Sequence, residues 1–123
     1  MSSSKPPAGL EPQSVHDLVI NALEDMKAED ITIIDVRGVS SLTDEMVIAS
    51  GTSVRHLSAL AENLITKAKE SGIPPLGVEG RSGSDWVLVD MNDVVVHLML
   101  PRARSFYNLE KLWSASEEAR QKG

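Results

Sequence analysis

The sequence of 123 residues contains no cysteine. Disulfide bonds, thiol catalysis and cysteine-ligated zinc are therefore excluded, and the composition is compatible with a reducing cytoplasm, where we expect the protein to work. Aromatic residues make up only 3% of the chain. The core must therefore be built mainly from valine, leucine, isoleucine, alanine and methionine.

Long apolar runs and an excess of basic residues are also missing. No apolar stretch approaches the ~20 residues of a membrane-spanning helix and no signal peptide is visible, so we expect no membrane association. With 12 Lys and Arg against 18 Asp and Glu, the formal net charge is −6. Because phosphate neutralisation needs clustered basic residues, we expect no direct nucleic-acid recognition, and a basic protein is the better-matched partner. The alternative is that the charge serves solubility alone.

The length corresponds to one domain. Residues 1–12 are rich in Ser, Pro and Gly and predict a disordered arm, residues 13–114 carry the domain, and residues 115–123 form a polar tail. Within the domain, apolar periodicity predicts helices and strands that add up to an α/β (α+β) fold. We expect a single mixed sheet of about five strands with helices packed on it.

Helical spacing predicts three helices. The first begins at Ser14, which we expect to cap it with Asp17 as its capping-box partner. Its expected buried stripe consists of Val15, Leu18, Val19, Ala22, Leu23 and Met26. The second runs from about 53 to 71 and ends at Gly72. The third covers 103–113, with Phe106, Leu109, Leu112 and Trp113 at helical spacing.

Strands are predicted at 31–36, 46–50 and 76–80, followed by a hairpin within DWVLVDMNDVVVHLML, residues 85–100. Asn92 and Asp93 suit a tight hairpin turn, which would pair Met91 with Val94. Directly opposed residues share a face. One face is then wholly apolar and is core: Val87, Val89, Met91, Val94, Val96 and Leu98. The other carries Trp86, Leu88, Asp90, Val95, His97 and Met99.

This second hairpin face is mixed in character. A solvent face would carry Lys, Thr and Glu, and a core face would avoid Asp and His unless they were paired. Large apolar groups with a few polar ones are typical of a protein interface, or of a surface beneath another element. Three interpretations stay open: partner binding, cover by the C-terminal helix, or a register shifted by one residue that exchanges the faces.

Other polar motifs give weaker signals. SGTSVRH, residues 50–56, leads into a helix whose free N–H groups either bind an anion or are capped by Thr52 or Ser53, and capping is favoured because no P-loop or dinucleotide motif is present. Asp35, Asp44 and Asp90 lie near strand ends, but no Asp-x-Asp or Glu-x-Glu pair occurs on a strand, so no metal site is expected. His16, His56 and His97 are not spaced as a metal pair.

Four separate blocks carry a resemblance to a known family. They are DVRGVSSLTDEMVIASGTSVRH, PPLGVEG, DWVLVDMNDVVVHLML and FYNLEKLW, in that order along the chain. The sequence resembles the ribosomal silencing factor (RsfS, or Iojap) family from about Val15 to Trp113. The resemblance implies a fold similar to that of nucleotidyltransferases, with a binding role and no catalysis, and no cofactor is expected.

The resemblance also implies a partner and a mechanism. Members dock on the fourteenth protein of the large ribosomal subunit, at the face that meets the small subunit, and block subunit joining in starvation or stationary phase. It places Trp86 at the contact, and strand geometry extends the expected site to Leu88, His97, Met99 and Asp90. Homodimerisation, common in the family, is left open by the sequence. The alternatives are a nucleotidyltransferase-like or phosphate-binding enzyme using residues 50–55 and Asp44, and an assembly chaperone of the large subunit.

Overall fold

The structure, a computed structural model, describes residues 12–80 and 83–111. In chain order it contains α1 Pro12–Asp25, β1 Glu29–Asp35, β2 Glu45–Ser50, α2 Val54–Glu70, β3 Gly77–Glu79, β4 Trp86–Asp90, β5 Val94–Met99 and α3 Pro101–Tyr107. Residues 1–11 of the arm predicted over 1–12, the polar tail over 115–123, and Leu112 and Trp113 of the predicted third helix lie outside the described residues.

The five strands form one mixed sheet in the order β1-β2-β5-β4-β3. β2 and β5 run parallel, and the other neighbouring pairs are antiparallel. β5 is therefore the central strand, and most of its side chains are buried, as in a strand covered on both faces. The predicted fold class, a mixed sheet of about five strands with packed helices, is confirmed.

One face of the sheet carries the main core, against α1 and α2. All six residues of the predicted apolar hairpin face are buried there, with Val19, Leu60 and Leu64 of the helices fully buried above them. Gly51 lets the Leu57 side chain of α2 pack close to the backbone that follows β2, because a Cβ at Gly51 would lie only 2.6 Å from that side chain. Burial of valine and leucine on this scale, at about 1.5–3 kcal/mol per side chain, is the chief stabilising term of the fold.

The hairpin has the predicted register. Trp86 pairs with Met99, Leu88 with His97, and Asp90 with Val95. The turn closes with the Met91 N–H donating to the Val94 carbonyl, and Asn92 takes the positive φ of 78° that asparagine tolerates. The interpretation based on a shifted register was therefore wrong, and both hairpin faces are those that the alternation predicts.

The helix ends differ from the sequence predictions. α1 begins at Pro12, so Ser14 lies inside the helix and the predicted capping box is wrong; a proline fits a first turn, where its missing N–H needs no intrahelical partner. Met26 is 36% exposed because α1 ends one residue earlier. α2 ends as predicted, with Gly72 at φ +80° directly after the C-cap.

The last helix is shorter than predicted. α3 begins with Pro101 and ends at Tyr107. Its C-cap Asn108 has a left-handed φ of 50° and ψ of 54°, and the chain is helical again from Leu109. The single apolar stripe predicted over 103–113 is therefore not formed. Leu109 packs against buried residues of the sheet, whereas Phe106 is 80% exposed. Among the described residues no helix has the length and apolar character needed to cross a membrane.

Candidate partner-binding face

The second face of the sheet, here called the α3 face, carries the mixed residues of the hairpin. The strand registers add apolar side chains from β1 and β2 to it, notably Ile34, Met46 and Ile48. These three and Val36 form a small buried cluster with Met99 and with Ala103 of α3, and Trp86 and Leu109 pack against it. α3 therefore covers one end of this face.

This partial cover corrects two of the predicted contact residues. Met99 is 0% exposed and His97 is 6% exposed, so the expectation that their side chains meet a partner is wrong in this conformation. The physical reason is that Met99 lies under α3, and His97 lies against the indole of Trp86. Both residues support the accessible surface from beneath.

The rest of the face is not sealed. Trp86, Leu88 and Asp90 alternate along β4 and are partly exposed, as is Val95 opposite Asp90 on β5. These four residues form what we call the open patch. Trp86, Leu88 and Asp90, the three remaining residues of the predicted site, therefore share one accessible surface. Their contact with a partner stays a prediction.

Two further aromatic residues border the open patch, and neither was predicted from the sequence as a site residue. The rings of Trp86 and Tyr107 lie 4.6 Å apart, and Phe106 contacts Tyr107 edge-to-face at 4.9 Å. Tyr107 is 50% exposed. The chain has 2 Trp, 1 Tyr and 1 Phe, so three of its four aromatic residues meet at this one place. Because aromatic residues are so few in this sequence, the adjacent Phe106 and Tyr107 were a signal that could have pointed to the site.

The indole of Trp86 is fixed by an internal hydrogen bond. Its Nε1–H donates to Nδ1 of His97 at 3.0 Å. This bond requires a neutral imidazole with its proton on Nε2. Burial supplies that state, because it lowers the pKa of His97 from 6.5 to about 4. Since the indole N–H is already used, Trp86 offers a partner its ring rather than a hydrogen-bond donor.

The backbone of Trp86 is held as firmly as its side chain. The Ser84 hydroxyl accepts from the Trp86 N–H at 3.1 Å and donates to the Trp86 carbonyl at 2.8 Å. Gly80 comes so close that a Cβ there would lie 2.4 Å from that carbonyl, and its φ of +79° also favours glycine. The glycine in the loop before β4 thus lets the strand begin where Trp86 faces outward from the α3 face.

A second polar cluster anchors α3. Arg104, whose side chain is 11% exposed, donates from Nε and Nη2 to the two carboxylate oxygens of Glu110, at 3.0 and 2.8 Å. Its Nη1 donates to the Ser50 hydroxyl at 2.9 Å and its Nη2 to the Thr32 hydroxyl at 2.7 Å. The bonds from Arg104 hold the pKa of Glu110 below its usual value. We call these four residues the Arg104 clamp.

The motif SGTSVRH is a capped helix start, as predicted. Ser53 is the N-cap of α2, and its hydroxyl accepts from the His56 N–H at 3.0 Å. His56 adds a tether that the sequence did not reveal. Its Nδ1 accepts from the Thr52 N–H at 2.9 Å, and its Nε2 lies 2.7 Å from the Met26 carbonyl at the end of α1. The ring therefore links two helix ends.

Replacing His56 with alanine is expected to lower the free energy of unfolding by about 1 kcal/mol, because the Thr52 N–H and the Met26 carbonyl lose their partner. Urea denaturation at neutral pH measures this. Arg55→Ala, an exposed change in the same helical turn, is the matched control and should cost less. Equal effects of the two substitutions would mean that the tether contributes nothing.

The predicted carboxylates do not converge on the open patch. Asp35 and Asp44 lie with His16, Arg37, Glu45 and Asp93 around a groove of about 370 Å³ at the other end of β2 from Ser50. Asp90 is instead on the α3 face. Within this groove His16 pairs with Glu45, and Arg37 pairs with Asp35 at 2.7 Å. No group of three His, Asp or Glu residues suited to a metal ion occurs within residues 12–80 and 83–111.

The fold and the patch define a class: a small single-domain α+β protein with one sheet face packed by two helices and the other left partly open around an aromatic cluster. The comparisons with known proteins agree. Residues 10–123 match the family described as RsfS, ribosomal silencing factor during starvation. The chain belongs to the ribosomal silencing factor family.

Individual relatives show how far the similarity extends. The chain is 46% identical over 98 residues to the ribosomal silencing factor RsfS of Haemophilus influenzae, covering 80% of this chain and 96% of that protein. It is 41% identical over 101 residues to mouse "mitochondrial assembly of ribosomal large subunit protein 1", covering 80% of this chain and 44% of the mouse protein.

A solved structure shares the fold. The crystal structure of a protein from Chromobacterium violaceum superposes with a TM-score of 0.83 at 45% identity, covering 85% of this chain and 88% of that one.

Proposed function

We propose that this protein silences translation by binding the large ribosomal subunit through the open patch and blocking its association with the small subunit. The role is one of binding, without catalysis or a cofactor. The partner is the fourteenth protein of the large subunit, at the face that meets the small subunit. The proposal implies that the protein works in the cytoplasm, with the ribosomes that it would bind.

One observation carries the proposal. In a chain with 3% aromatic residues, Trp86 lies partly exposed on a sheet face instead of being sealed in the core. An exposed aromatic group surrounded by apolar and a few polar residues is typical of the energetic centre of a protein interface. The ring is also preorganised by its bond to His97 and the backbone by its bond to Ser84, which lowers the entropy cost of docking.

The charges around the open patch suit a basic partner. Asp90 lies within it, and Glu79, which pairs with Leu88 across β3 and β4, is exposed at its edge. The whole chain has a formal net charge of −6. Attraction to a basic ribosomal protein would speed encounter, and the effect would weaken as salt screens it.

Co-sedimentation with purified ribosomal subunits tests the proposal. The protein should sediment with large subunits and not with small ones, and the bound fraction should fall with rising salt. Equal binding to both subunits, or to neither, would contradict the proposal. Calorimetry with nucleoside triphosphates and magnesium tests the enzyme alternative in parallel, since saturable binding there would favour it.

A second candidate function is assembly of the large subunit. The name of the mouse relative favours it, since that protein is described as acting in assembly of the mitochondrial large subunit. Comparing precursor particles with mature large subunits in the same sedimentation assay separates the two functions. A silencing factor binds the mature subunit, whereas an assembly chaperone binds only precursors.

A further inference from the structure

α3 is poorly equipped to hold its own position. It has seven residues, and only Ala103 is buried. A helix of this length is unstable in isolation, so its place on the sheet must come from tertiary contacts. Its apolar contacts with the sheet among the described residues are few: Ala103 lies in the small cluster on the α3 face, and Tyr107 lies against Trp86. We therefore expect polar contacts to contribute to the docking of α3.

The Arg104 clamp supplies those polar contacts. One guanidinium joins α3 to Thr32 on β1, Ser50 on β2 and Glu110 in the helical turn beyond Asn108. Its planar fork fits the carboxylate through two parallel bonds while its remaining N–H groups reach both hydroxyls. Lysine carries the same charge but cannot make this set of bonds, because it presents a single ammonium group.

The position that the clamp fixes is also that of Tyr107. This residue lies one helical turn beyond Arg104 and holds its ring 4.6 Å from that of Trp86, at the border of the open patch. A shift of α3 would remove Tyr107 from Trp86 and change the shape that a partner meets. Arg104 is not one of the patch residues, and its hydrogen-bond partners Glu110, Ser50 and Thr32 lie outside the patch as well.

We infer that Arg104 is a positioning residue for partner binding: the clamp it forms with Glu110, Ser50 and Thr32 holds Tyr107 against Trp86 and so preorganises the docking surface. This inference rests on the proposed function for the identity of the partner. It goes beyond that function by adding Arg104, a residue that makes no contact with the partner and acts on binding through Tyr107.

Arg104→Lys and Tyr107→Ala, singly and together, test the inference. Each single variant should bind large subunits about five- to tenfold more weakly than wild type, as expected for loss of an ordered interface residue. The double variant should be little weaker than Tyr107→Ala, because the two changes remove the same contact. In NMR spectra, Arg104→Lys should also lose the cross-relaxation between the rings of Trp86 and Tyr107.

A matched control separates the clamp from a general loss of charge pairing. Arg37→Lys alters another bidentate Arg–carboxylate pair, with Asp35, whose side chains are 70% and 52% exposed. It should leave both binding and the ring contact unchanged. If Arg104→Lys fails to fold, Glu110→Gln replaces it, because it weakens the same clamp without changing side-chain volume.

The outcomes are distinct. Wild-type affinity in Arg104→Lys, an intact ring contact in a weakened variant, or additive losses in the double variant would each overturn the inference while the proposed function stands. Loss of the ring contact without loss of affinity would overturn it as well. Absence of wild-type binding would instead contradict the proposed function, and with it the docking role of the clamp.

Discussion

Trp86→Ala is expected to abolish co-sedimentation with the large ribosomal subunit at concentrations where the wild-type protein is saturated. Truncating a central aromatic anchor typically costs ~2 kcal/mol or more, which corresponds to at least about a thirtyfold loss of affinity. The loss should exceed that of any other single change in the open patch, because Trp86 has the largest apolar surface there.

The fold of Trp86→Ala should survive. Trp86 packs against the small cluster on the α3 face, whereas the main core between the sheet and α1 and α2 does not include it. Far-UV circular dichroism and a cooperative urea transition check this. Leu42→Ala is a matched control, since Leu42 is 86% exposed in the loop between β1 and β2 and is not one of the four residues of the open patch. Wild-type levels of Trp86→Ala on large subunits would refute the proposed contact.

The stability of the protein should depend on pH through His97. Burial lowers the pKa of this imidazole from 6.5 to about 4 in the folded protein. As the pH falls below 6.5, His97 is therefore protonated in the unfolded chain, whereas in the folded protein it stays neutral down to about pH 4. The contribution of neutral His97 to the free energy of unfolding is complete above pH 6.5 and is lost as the pH falls from 6.5 to about 4. The total loss is about 3 kcal/mol.

His97→Gln isolates this effect from the titration of the carboxylates. Glutamine offers the Trp86 N–H an acceptor oxygen but binds no proton in this range. Urea denaturation of both proteins at several pH values between 7 and 4 should show the stability advantage of the wild type shrinking as the pH falls. Parallel pH profiles of the two proteins would show that His97 titrates normally in the folded state.

The local sequence pattern was sufficient to predict the hairpin and α2. The turn residues and the alternation of side chains fix the pairing of Val89 with Val96, and hence which face of the hairpin is core. The buried stripe of α2, including Leu57, Leu60 and Leu64, follows from its period and from the glycine at its end. In these elements, features that are local in the sequence decide the structure.

The candidate site was only partly predictable because its decisive contacts are nonlocal. Burial of Met99 depends on α3 folding back over β5, which no periodicity reports. Tyr107 meets Trp86 because α3 docks on the sheet, and Asn108 ends this helix in a left-handed conformation where apolar spacing had predicted that it continues. The bond from Trp86 to His97 joins residues on neighbouring strands, and the Arg104 clamp joins β1, β2 and α3.

Light scattering with a varied order of addition measures directly whether the protein prevents the two ribosomal subunits from joining. Large subunits incubated first with the wild-type protein should fail to associate with small subunits, whereas large subunits incubated with Trp86→Ala should associate normally. The wild-type protein should have a weaker effect when it is added after the subunits have joined, because the intersubunit face is then occupied. Normal joining by large subunits shown to be saturated with wild-type protein would contradict the proposed block of subunit association.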